Sequence, residues 1–158
     1  MTIAPLNLPQ YDFKIKQSGD KQLIFDRLRK RYVSLTPEEW VRQNMVEFLI
    51  CEKQFPAALM ANEISVKANG LQRRCDTVVY DYAGHPLLAA EYKAPTITVN
   101  QGVFDQIMRY NSRLHVRYTL VSNGLTHFCC LLDYDTMNVE YLREIPYYRE
   151  MTNLFLHQ

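Results

Sequence analysis

Three charged residues, Asp76, Glu91 and Lys93, are spaced so that one fold-back of the chain could bring them together. They belong to the stretch from Arg73 to Lys93, in which two apolar, strand-forming runs flank a break containing Gly84 and Pro86. That pattern predicts an antiparallel hairpin. A turn centred on Ala83-Gly84 pairs residues whose numbers sum to about 167, which sets Asp76 opposite Glu91. Side chains alternate along a strand, so Lys93 shares the face of Glu91. Two carboxylates opposed on an apolar hairpin repel each other unless a cation lies between them. Hard oxygen ligands of this kind suit Mg2+ or Mn2+. The bland alternative is a solvent-facing Glu-x-Lys ion pair. Against it, Leu87, Leu88, Ala89 and Ala90 run straight into Glu91 and read as a buried strand, where a charge needs a partner or a metal.

The elements that must position these groups follow from pattern. Thr36-Pro37-Glu38-Glu39 is a helix start: Thr36 can cap, Pro37 suits the first turn, and Glu39 completes a capping box. Val41, Met45, Phe48 and Leu49 then form an apolar stripe, predicting a helix over 38–53. Residues 61–67, 72–82 and 87–93 read as consecutive antiparallel strands, with Asn69-Gly70 as the first turn. A second helix is expected over 101–114, where Gln106 and Tyr110 stack on one face. Further strands are expected over 116–122 and 126–132, a small one over 139–142, and a closing helix over 147–156. Ahead of the first helix, residues 1–10 read as an irregular arm, and 11–16 with 23–25 as a small hairpin.

Asp76 followed by Glu91-Tyr92-Lys93 resembles the PD-(D/E)xK nuclease motif. With the acidic helix start, the Arg-Arg-x-Asp strand and the later Gln106-Ile-Met-Arg-Tyr110 helix, the chain is similar to the N-terminal nuclease domain of type I restriction enzyme R subunits over roughly residues 33–132. Cys75 stands where the motif's Pro would be. The resemblance implies an α/β, restriction-endonuclease-like fold, with a mixed central sheet of four to five strands flanked by helices. It implies a Mg2+-dependent DNA endonuclease with Asp76, Glu91 and the Tyr92 backbone carbonyl as metal ligands. Lys93 would orient water or stabilise charge, and Gln106 would position a water or phosphate, buttressed by Tyr110. One acid of the first helix would join the site, Glu39 by position with Glu47 behind it, although a capping-box Glu needs no catalytic role. Arg73, Arg74, Arg109 and Arg113 are the candidates for DNA contact, together with Tyr110.

At 158 residues the chain fits a single domain: an arm and hairpin over 1–32, a nuclease-like core over 33–132, and a C-terminal extension over 133–158. The net charge of +1 gives no global basic field, so any DNA surface must be local. The start of the chain lacks the pattern of a signal peptide, and no run approaches the ~20 apolar residues of a membrane span. A cytoplasmic protein is therefore expected. Cys51, Cys75, Cys129 and Cys130 have no C-x-x-C spacing and read as buried, reduced thiols rather than zinc ligands. No G-x-x-x-x-G-K-[ST] phosphate loop occurs, so these residues are not expected to drive translocation, and other restriction-system subunits are the expected partners. A homodimer is compatible with the sequence. The competing readings are a non-catalytic nucleic-acid-binding or interaction module on the same scaffold, and an unrelated α/β protein with a chance Glu-x-Lys. The last predicts Asp76 far from Glu91 and Lys93.

Overall fold

A computed structural model describes residues 3–153. Its first layer is a three-stranded antiparallel sheet of β1 (Ile15–Ser18), β2 (Lys21–Asp26) and β3 (Arg31–Ser34). The sequence pattern had implied only a hairpin here. The third strand arises because the basic run turns back on itself at Lys30, whose φ is 55°. The buried Asp26 carboxylate organises that turn by accepting the backbone N–H groups of Leu28 and Arg29 at 2.8 and 2.9 Å.

Helix α1 (Pro37–Cys51) starts where its cap signals place it: Thr36 Oγ1 accepts the Glu39 N–H at 3.0 Å and Pro37 opens the first turn. Its buried stripe of Val41, Met45, Val46 and Leu49 packs against Val79, Leu88, Ala90, Tyr118 and Leu120 of a central sheet.

That sheet contains β4 (Met60–Ala68), β5 (Leu71–Tyr80), β6 (Pro86–Tyr92), β7 (Tyr118–Ser122), β8 (His127–Asp133) and β9 (Asn138–Leu142), in chain order. It is mixed, because β6 and β7 pair in parallel while the other pairs are antiparallel. A parallel pair needs a crossover, and α2 (Gln101–Arg113) supplies it. Phe104 and Ile107 pack on Val121 and Cys130, while Leu114, just past the helix, packs on Val78 and Ala89. These strand residues alternate with those beneath α1, so the two helices cover opposite faces.

The sheet has six strands rather than the four to five expected. The difference is β9, which the sequence reading assigned to a C-terminal extension beyond 132 and which instead pairs with β8 as an edge strand. A short helix α3 (Tyr148–Asn153) returns Tyr148 and Met151 to the core under α1; residues 154–156 of the expected closing helix lie outside the described residues. Cys75, Cys129 and Cys130 are buried and all four cysteines are unbridged, but Cys51 is exposed at the end of α1. No described helix is long and apolar enough to cross a membrane.

Candidate functional site

The hairpin register is Thr77↔Ala90, Val78↔Ala89 and Val79↔Leu88, as inferred from the sequence. A bulge between Val79 and Tyr80 and a loop tied by the Asp81 carboxylate to the N–H groups of Ala83 and His85 complete the turn. Continued one step past Thr77, the register faces Asp76 toward Glu91. There the ladder changes character: Asp76 Oδ2 accepts the Tyr92 N–H at 2.8 Å. The Asp76 carboxylate is thereby fastened to the strand that carries the other two charges.

Lys93 Nζ lies 3.7 Å from Glu91 Oε1, and the Lys93 N–H donates to the Ser122 carbonyl at 2.9 Å. The second Glu91 oxygen faces Arg73 Nη2 at 3.2 Å. Arg73 was expected to contact DNA; its guanidinium also bonds Asn111 Oδ1 at 2.9 Å and sits 5.1 Å from the Tyr110 ring centroid. It therefore braces Glu91 against α2. Asn111, buried and donating to Thr119 Oγ1 at 3.0 Å, is the polar anchor of α2 in this region. Sequence reasoning chose Gln106 for that helix. Gln106 is exposed, and among the described residues it makes no hydrogen bond to Asp76, Glu91 or Lys93.

Both helix α1 acids singled out in the sequence are engaged in ion pairs. Glu39 is buried and saturated, with Arg29 at 2.6 Å, Arg42 at 2.7 Å and Gln43 at 2.8 Å. Glu47 pairs with Arg27 at 3.0 Å. Glu38, by contrast, is exposed, and no ion pair holds it among the described residues. It lines a cleft of about 370 Å3 with Thr36, Pro37, Glu39, Arg42 and Ala94, the residue after Lys93. The signal was present as two adjacent glutamates at one helix start. Successive helical side chains point about 100° apart, so only one of the two can serve the cap network.

A fourth carboxylate borders the site. The β4–β5 register runs from Asn62↔Thr77 to Ile64↔Cys75, which leaves Glu63 facing Asp76. Glu63 adopts φ 56°, a left-handed conformation that costs a non-glycine residue about 1–3 kcal/mol. Its carboxylate reaches Arg42 Nη1 and Arg74 Nε, each at 2.6 Å. Arg42 Nη1 in turn donates to the Asp76 carbonyl at 3.0 Å. Arg42 thus links Glu39, Glu63 and Asp76. No periodicity in the sequence marks it, because it lies on a helix flank rather than in the apolar stripe.

The electrostatics divide these acids into two groups. Burial, and then repulsion by Asp76, pushes Glu91 above the ordinary Glu range; Glu38 is raised in the same direction although its side chain is exposed. Burial also raises Asp76, despite the Tyr92 N–H and Arg42. Glu63 goes the other way: burial pushes it up, but hydrogen bonding and charge from Arg42 and Arg74 hold it low. Two acids from adjacent strands, Asp76 and Glu91, are therefore partly buried side by side, with Arg73 and Lys93 against Glu91. Carboxylates raised by burial and mutual repulsion occur at cation sites and in structural ion-pair networks alike. Among the described residues, no three acid, His or Cys groups form a ready-made cage. Mg2+ needs none, since it takes one or two carboxylates and keeps its waters. Asp76 and Glu91 carry hard oxygen donors of the kind it takes.

The remaining expected contacts are peripheral. Arg74 is exposed and shares Glu63; Arg109 and Arg113 are exposed on α2, and Tyr110 is 48% exposed.

A family model described as the N terminus of type I restriction enzyme R proteins matches residues 37–146. Among solved structures, a fragment described as an HsdR subunit of a type I restriction enzyme from Vibrio vulnificus YJ016 is similar with a TM-score of 0.55 and 20% identity. That match covers 78% of this chain and 26% of the other. A DrdV–DNA complex is similar at a TM-score of 0.44 and 17% identity, covering 76% of this chain and 12% of that one. The chain thus spans about a quarter of the HsdR fragment and less of the second protein. No curated protein matches it.

Proposed function

Because the chain belongs to the family of type I restriction enzyme R protein N-terminal domains, we propose that its acidic cluster is the centre of a metal-dependent endonuclease acting on DNA. The observation that carries this reading is that Asp76 is fastened to the Tyr92 N–H at 2.8 Å, between Glu91 and Lys93, which lie 3.7 Å apart. Asp76, Glu91 and the Tyr92 carbonyl would hold Mg2+ or Mn2+. Such an ion, when bound, neutralises phosphate charge and lowers the pKa of a coordinated water.

The chain's own residues supply the rest. Lys93, tethered to Ser122 through its backbone, holds a positive charge beside Glu91, where it stabilises charge on the reacting phosphate or orients water. The Tyr92 N–H fixes the Asp76 carboxylate, and Arg42 fixes its backbone, so the ligand atoms need little reorganisation. Arg73 balances Glu91 in the protein alone, and Glu38 accepts a proton or a water's hydrogen bond at the rim. Arg74, Arg109 and Arg113 contact backbone phosphates, and Gln106 and Tyr110 flank the bound strand. In this reading the protein works in the cytoplasm within a restriction-modification system, with other subunits supplying translocation.

Plasmid cleavage in Mg2+ or Mn2+ tests the reading. Wild type should nick or cut. Asp76→Ala and Lys93→Ala should each lose about 100- to 1,000-fold in rate while still binding DNA. DNA binding without cleavage in either metal, for wild type as for the variants, would support the module reading instead. One observation favours that second reading: Arg73 and Lys93 already compensate Glu91, as a retired site could.

A further inference from the structure

A cavity of about 350 Å3 opens between the start of β5 and the last turn of α2. Leu71, Gln72, Arg73, Tyr110, Arg113 and Leu114 line it. Leu71 and Tyr110 are exposed, at 43% and 48%, while Leu114 is buried. An apolar floor, an aromatic ring and two guanidinium groups with no carboxylate in the lining describe a site for something flat, weakly polar and attached to negative charge. A nucleobase with its phosphate has those properties. The pocket borders the acidic cluster through Arg73, which lines it and meets Glu91 at 3.2 Å.

We propose that this cavity receives an unpaired nucleobase next to the phosphate held at the acidic cluster, so that the preferred substrate is DNA with a single-stranded or extruded nucleotide at the cut. The proposal rests on the nuclease reading for the position of that phosphate, but not for the pocket's chemistry. Arg73 lies over the Tyr110 ring at 5.1 Å, and the exposure of the tyrosine leaves ring surface for a base. Arg113, one turn further along the same helix flank (three residues on), is placed to meet the flanking phosphate. A base stacked within a duplex offers only its edges, so it cannot enter; unpairing admits it. Tyr110 then acts through its face and not its hydroxyl.

The test is a binding titration in EDTA with oligonucleotides carrying 2-aminopurine, either fully paired or in a one-nucleotide gap, followed by cleavage of the same substrates in Mg2+. The expected result is fluorescence quenching and at least tenfold tighter binding for the gapped form. Tyr110→Ala should abolish that preference, and Tyr110→Trp or Tyr110→Phe should keep it. Gln72→Trp, an exposed-site change that fills the cavity, should also abolish it. Equal affinity and cleavage for paired and gapped DNA, indifferent to Tyr110→Ala, would overturn the pocket while leaving the nuclease reading intact. Gap preference dependent on Tyr110 without cleavage in any metal would sustain the pocket and overturn the nuclease reading.

Discussion

Neighbouring glutamates at the head of α1 are separated by what each side chain can reach. Glu39 meets two guanidinium groups and an amide, and Glu38 is exposed. Substitution should separate them cleanly. Glu39→Ala removes a buried carboxylate shared by Arg29, Arg42 and Gln43, leaving the arginines Asp26 and Glu63, and should cost about 1–3 kcal/mol in urea denaturation. Glu38→Gln should leave stability near wild type and reduce metal-dependent cleavage, whereas Glu47→Gln should change neither. Glu63 gives a second residue-scale test. Glu63→Ala and Glu63→Gly both remove the carboxylate that holds Arg42 and Arg74, but only glycine is at ease at φ 56°. The Gly variant should therefore be the more stable of the two by about 1 kcal/mol or more, read from denaturant midpoints. Equal midpoints would mean that the left-handed backbone at Glu63 stores no strain.

At the scale of elements, most of what positions the site was legible in the chain. The Thr36 cap, the α1 stripe, the meander and the register that pairs Thr77 with Ala90 all follow from local pattern, and all occur. What local pattern missed is how α2 attaches. Gln106 and Tyr110 share a helix face by number, but a helix can be rotated about its axis without altering that relation. The packing of Phe104 and Ile107 on Val121 and Cys130 sets the rotation and turns Asn111 inward. Asn111 joins α2 to Thr119 of β7 and to Arg73 of β5. Asn111→Ala should leave Thr119 and Arg73 short of partners and lower stability by about 1–3 kcal/mol in chemical denaturation. It should also loosen Arg73 from Glu91, so cleavage should fall more than the small stability loss explains.

For the whole molecule, the acids of the site make stability depend on pH and on metal. Glu38, Asp76 and Glu91 have folded pKa values above their unfolded ones, so the folded chain carries the extra protons. Their contribution to stability therefore falls as pH rises from the ordinary carboxylate range through the raised values. Asp26 and Glu63 act in the opposite sense: hydrogen bonds and arginine charge outweigh burial, and what they contribute is lost as pH falls. A difference between wild type and Asp76→Asn isolates the first group, because Asn can still accept the Tyr92 N–H. In EDTA the variant should melt at or above the wild-type temperature near pH 7, and that advantage should shrink toward about pH 4. Adding Mg2+ at 100 times its Kd should stabilise wild type by about 2.7 kcal/mol and the variant far less. A wild-type melting temperature indifferent to Mg2+ at any concentration would count against the site as a metal centre.

The sequence by itself determined the hairpin, its register and the two helix starts, because these depend on side-chain period, turn residues and caps within a few positions of each other. It therefore placed Asp76, Glu91 and Lys93 together. Only the tertiary structure decided that Glu39 is locked between two arginines, which arginine is spent bracing Glu91, that Glu63 sits across from Asp76, and that β9 extends the sheet to six strands. Those outcomes depend on how separate elements rotate and dock, and docking is governed by buried contacts between residues tens of positions apart, which no local pattern encodes.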